Sequence, residues 1–88
     1  MNDKIHETRY YNGVIQGHDE AQVYKVNFVS SKLYEKDTPN YYLEIEGGLR
    51  EDGNINRWVE SNVTWIAKWF PQILVDIAKD KVEGWRLN

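Results

Sequence analysis

Apolar positions along the chain follow two periods, and the change between them divides it into a β-rich part and a helical part. Strands send successive side chains to opposite faces, whereas helices return to one face every three or four residues. Residues 22–31 alternate, with Tyr24, Val26 and Phe28 on one side and Val23, Lys25, Asn27 and Val29 on the other. Residues 41–46 do the same, setting Tyr41, Leu43 and Ile45 against Tyr42, Glu44 and Glu46. An earlier segment, 8–16, holds Tyr10, Tyr11, Val14 and Ile15 and runs into the turn-forming cluster Gly17-His18-Asp19-Glu20. Pro39 limits the loop before the third segment, since it cannot donate to a ladder, and Gly47-Gly48 closes that segment.

Beyond the polar turn Arg50-Glu51-Asp52-Gly53-Asn54 the period lengthens. Val59, Val63, Ile66, Phe70, Ile73, Leu74 and Ile77 recur at steps of three and four, which predicts a helix over about 57–83. Asn54 or Asn56 suits its N-cap, and Ser61 suits a later start. Pro71 removes one helical hydrogen bond and clashes with the preceding turn, so the helix is expected to kink or break near 71. Gly84 is a natural terminator, after which Trp85 is placed to fold back. Residues 62–69 also alternate and offer a fourth strand there, but the helical template accounts for more apolar positions over a longer window.

These elements predict one α+β domain over 1–88: a three-stranded antiparallel β-meander, strands near 8–16, 22–31 and 41–46, followed by the broken C-terminal helix (βββα). The connections are too short for parallel crossovers. The helix is expected to cover Tyr24, Val26, Phe28, Tyr41, Leu43 and Ile45. The opposite face then mixes Tyr10 or Tyr11, Val23, Lys25, Val29, Tyr42, Glu44 and Glu46. Past Pro71 the helix is apolar on several sides, because Val75, Ala78 and Val82 lie away from the main stripe, and that pattern points to a homodimer.

Composition narrows the class. Eleven Lys and Arg stand against fourteen Asp and Glu, a net charge of −3, and no basic stripe of the kind nucleic-acid binders carry is present. No cysteine is available for a disulfide or thiolate site, which points to a cytoplasmic setting. The polar N-terminus has no apolar core of a signal peptide, and no apolar run approaches a membrane span.

Candidate chemistry is sparse. His6 and His18 are the only histidines, are expected to be exposed, and are too few for a three-ligand metal site. Glu51-Asp52-Gly53-Asn54 lacks the alternating oxygen ligands of a calcium loop. Phosphate-binding glycine loops and the nucleophile elbow are missing, so neither an enzyme nor a cofactor is expected. What stands out is aromatic surplus, 14% of residues, more than a small sheet can hide on one side. Trp58, Trp65 and Trp69 form a second helical stripe beside the core stripe, and Glu44, Glu46, Glu51 and Asp52 are the densest acidic group. Together with Tyr42 they make the candidate partner-binding set, because Trp and Tyr dominate interface hot spots and clustered acids suit a basic surface.

The sequence therefore predicts a small non-catalytic module that occupies a larger protein. In size and composition alone it is similar to phage-encoded inhibitors of host defence, anti-CRISPR proteins among them. A module that stacks a nucleotide or small molecule, or pairs with itself, is the alternative.

Overall fold

A computed structural model describes residues 2–13, 22–32, 40–49, 53–79, 82 and 84–86. Among them, four strands form one antiparallel sheet in the order β1 (Asn2–Gly13), β2 (Gln22–Lys32), β3 (Asn40–Leu49), β4 (Ile55–Glu60). Two short helices follow, α1 (Val63–Trp69) and α2 (Pro71–Lys79). The class is α+β, as the two periods predict, but the sheet has a fourth strand and the helical part is shorter than 57–83.

The correction falls on residues 55–60. Trp58 and Val59 do not belong to a helix; they sit on β4, where burial alternates residue by residue. Trp58 pairs with Ile45 and turns inward, while Val59 pairs with Glu44 and is 61% exposed. Val59 and Val63 (47% exposed) therefore leave the predicted core stripe, and Ile66, Phe70 and Ile73 remain as its buried members. Helix α1 starts later than predicted because Asn62, rather than Asn54, Asn56 or Ser61, caps it. Its side-chain oxygen accepts from the N–H groups of Thr64 (2.9 Å) and Trp65 (3.3 Å). Residues 63–69 are helical, so the alternation over 62–69 is not a strand. At Pro71 the break is complete: Phe70 leaves helical geometry (φ −136°, ψ 65°) and Pro71 opens α2, the position where its missing N–H costs least.

The other strands are longer than predicted. β1 begins at Asn2, and Val14, Ile15 and Gln16 lie outside the described residues. A bulge between Ile5 and Glu7 leaves His6 unpaired in the ladder. His6 is half-buried rather than exposed and shares a 2.6 Å hydrogen bond with Ser30; His18 lies outside the described residues. A second bulge at Gly48 (φ 73°) turns β3 toward β4. A side chain there would come within 2.7 Å of the Tyr24 hydroxyl, so the position needs glycine for both conformation and space.

The helices cover one face. Tyr24, Val26, Phe28, Leu43 and Ile45 meet Ile66, Phe70 and Ile73, with Tyr41 partly buried beside them. Tyr11 also joins this core, which leaves Tyr10 on the other face. Val82 and Trp85 close the far end. Trp85 returns to the sheet, donates its Nε1–H to the Val29 carbonyl (2.8 Å) and meets the edge of Phe28 at 4.9 Å. Val82 is thus held in the chain's own core and is not part of an open dimer face; Val75 and Ala78 remain exposed. On β1 the core side carries Glu7 and Arg9, tied by an ion pair of 2.8 Å, and Arg9 reaches Asp76 of α2 at 3.7 Å. No helix among the described residues is long and apolar enough to cross a membrane.

Candidate functional site

The strand register divides the predicted partner-binding set. Tyr42, Glu44 and Glu46 project from the sheet face away from the helices, whereas Trp58 points to the helical side with Trp65 and Trp69 of α1. Period 2 in β4 makes this unavoidable, because the register aligns Trp58 with core-facing Ile45, and Arg57 with outward-facing Glu46. Glu51 and Asp52 lie outside the described residues. The acidic and aromatic candidates are therefore two surfaces.

The outward face is a polar ladder with apolar margins. Thr8 donates to Asn27 (2.7 Å), Asn27 donates to Glu44 (3.4 Å), and Arg57 pairs with Glu46 at 3.3 Å. Both glutamates are thus already engaged with neighbours across the strands. Tyr10, Val23, Ile55 and Val59 are exposed at the margins, while Val29 and Ser31 are buried toward the other end. The Tyr42 hydroxyl has a raised pKa, first from burial and then from the nearby charges of Asp3 and Glu44. Tyr42 also lines a pocket of about 330 Å³ with Asn40, Tyr41, Val59 and Ser61, and none of these described lining residues carries a formal charge.

The tryptophans form the better-defined site. Asn56, Trp58 and Glu60, the inward side chains of β4, and Trp65 and Trp69 of α1 line one pocket of about 280 Å³. It lies beside an edge of the sheet, since β4 is the last strand. Trp69 contacts both other indoles: Trp58 at 6.1 Å and 90°, and Trp65 at 5.2 Å and 47°. The indole of Trp58 continues inward onto Phe70 (6.5 Å, 29°) and Tyr24 (6.2 Å, 71°), so the groove's wall is anchored in the core. Trp65 is outermost, 43% exposed, with the Lys68 ammonium 5.1 Å from its ring centroid. The indole nitrogens of Trp58 and Trp69 are buried and find no hydrogen-bond partner among the described residues.

Glu60 carries the only formal charge among the described lining residues. One of its oxygens accepts from the Asn62 N–H at 3.2 Å. Asn56 holds the rim by donating to the Gly48 carbonyl (3.2 Å). Sequence reasoning named all three tryptophans but missed Asn56 and Glu60, which alternation over 56–60 would have placed beside Trp58. Among the described residues no group of three or more His, Asp or Glu is placed to hold a metal ion. Comparison with protein-family models, curated proteins and solved structures finds no match to the chain.

Proposed function

We propose that the chain is a small non-catalytic binding module that acts by stoichiometric occupancy of a larger protein, with the tryptophan groove as its anchor. The observation that carries this reading is the groove itself: three indoles around one pocket, the outermost 43% exposed, on a wall fixed by core aromatics. Rigid, half-desolvated Trp is the side chain most enriched among interface hot spots. The position of β4 at the edge of the four described strands supports the same reading, because a strand edge offers main-chain groups to a partner strand. In biological terms, inhibition of a host defence protein, as phage-encoded inhibitors do, is the role that size and composition favour.

A nucleotide is a poorer occupant. The pocket, about 280 Å³, is at the small end of ligand sites, which run from roughly 300 to 1,000 Å³. Its one described charge, Glu60, would repel a phosphate. Of the three residues that suggest self-association, Val75 and Ala78 remain exposed on α2, whereas Val82 is buried in the chain's own core.

Affinity capture with paired variants tests the proposal. The wild-type chain is expected to recover one partner at fixed stoichiometry. Trp65→Ala should lose it, and Val23→Ser, on the opposite face, should keep it. Retention by Trp65→Ala with loss by Val23→Ser would move the contact to the open sheet face and refute the groove.

A further inference from the structure

We infer that the tryptophan groove receives an organic cation, the ammonium or guanidinium of a Lys or Arg side chain on the protein partner. The inference rests on the proposed function for the carrier of that cation and adds the chemistry by which the groove selects it.

Four observations support it. All three indoles line the pocket and are mutually inclined where they are in contact, 90° for Trp58 and Trp69 and 47° for Trp65 and Trp69, so a guest seated there meets aromatic rings in different orientations. Cations are held when they lie within about 6 Å of such a ring centroid, most strongly by Trp. Trp65 already takes part in one such contact, since the ammonium of Lys68, a residue outside the pocket lining, lies 5.1 Å from its ring centroid. Glu60 adds a negative charge to the lining, and among the described residues no cation is paired with it. Finally, about 280 Å³ suits one side-chain head better than a larger ligand.

Neutral apolar side chains would also fill the space, but they would leave the Glu60 charge uncompensated in a partly desolvated groove. An acidic side chain would meet like charge. Of the side chains a protein partner can offer, Lys and Arg are the ones fully charged at neutral pH that satisfy both the aromatic rings and the carboxylate.

The test is a titration of the isotopically labelled chain with tetramethylammonium chloride at constant ionic strength, followed by NMR of the four indole N–H resonances, with tert-butanol as the neutral isostere. Saturable shifts are expected for Trp58, Trp65 and Trp69, with half-saturation on the order of millimolar. Trp85, buried at the other end of the core, should stay still and report that the fold is intact. Glu60→Gln should weaken binding by about threefold or more, and Trp65→Ala by about tenfold. Equal shifts from tert-butanol, no shifts with the cation, or unchanged affinity in Glu60→Gln would overturn the inference. The two readings separate cleanly. Loss of partner capture in Trp65→Ala without cation binding would overturn the cation site and leave the anchor. Cation binding with capture indifferent to Trp65→Ala would do the reverse.

Discussion

Gly13→Ala should destabilise the protein even though alanine is the better strand residue. Gly13 is buried at the end of β1, and a Cβ added there would lie 2.3 Å from Phe70 Cε1 and 2.9 Å from Cδ1. Carbon atoms rest at about 3.5–4.0 Å, so the ring or the strand must retreat by about 1.2 Å. Phe70 has little room to do so: it is 1% exposed, with the edge of Tyr24 at 5.1 Å and Trp58 stacked at 6.5 Å. Overpacking of this kind costs about 1–3 kcal/mol. Against it stands a gain of about 0.4–1 kcal/mol from restricting the unfolded chain. The clash wins, with a net loss of about 1–2 kcal/mol, or roughly 4–16 °C in Tm for a domain of this size. Urea unfolding of Gly13→Ala, Phe70→Leu and the double variant measures it. In the Phe70→Leu background the alanine should become neutral or stabilising, giving a coupling on the order of 1 kcal/mol or more. A stabilising Gly13→Ala, or strict additivity, would refute the packing of Phe70 on β1.

Asn62→Ala should cost about 1 kcal/mol in urea unfolding and weaken partner binding, because two N–H groups at the start of α1 lose their acceptor and Trp65 is one of them. Val59→Thr should change stability by less than about 0.5 kcal/mol, whereas Ile66→Ala should cost about 2–5; equal losses would restore Val59 to a helical core stripe. The Asp76 carboxyl is held below its ordinary 3.8, first by a hydrogen bond from Gln72 and then by the nearby Tyr11 hydroxyl, Arg9 and Lys79, against the opposing effect of its own burial. A depressed pKa adds stability above about pH 3.8 that is lost as pH falls through the folded value, so Asp76→Asn should show a flatter acid limb than wild type. Burial, and after it Asp76, raises the Tyr11 hydroxyl above 10.0, although it makes no well-aligned hydrogen bond. That stability is present below pH 10.0 and fades as pH rises beyond it, so Tyr11→Phe should flatten the alkaline limb.

Residues 22–31 and 41–46 were legible because each alternates and puts three large apolar side chains on one face, Tyr24, Val26 and Phe28 in the first and Tyr41, Leu43 and Ile45 in the second. Ile66, Phe70 and Ile73 were legible for the same reason at helical spacing. β4 was not, and its composition explains why. Its inward positions are Asn56, Trp58 and Glu60 and its outward ones Ile55, Arg57 and Val59, so neither face is uniformly apolar. A strand that lines a groove rather than a core loses its period-2 signature, and the accidental spacing of Val59 to Val63 and Ile66 then reads as helix. β1 is obscured in a similar way, with Glu7 and Arg9 on its core side held by ion pairs that sequence cannot foresee. The same misassignment hid the site: a single helical stripe makes the tryptophans one-dimensional, whereas placing Trp58 on a strand opposite Trp65 and Trp69 creates the pocket. The acidic set suffered the opposite fate, since Glu44 and Glu46 are engaged across the strands on the other face.

Hydrogen–deuterium exchange on the isolated complex with its partner locates the contact surface. Binding through the tryptophan groove predicts new protection of amides in 55–60 and 63–69, with 22–27 and 42–46 unchanged. Protection confined to 42–46 and the outward face, with β4 and α1 exchanging as in the free chain, would contradict it.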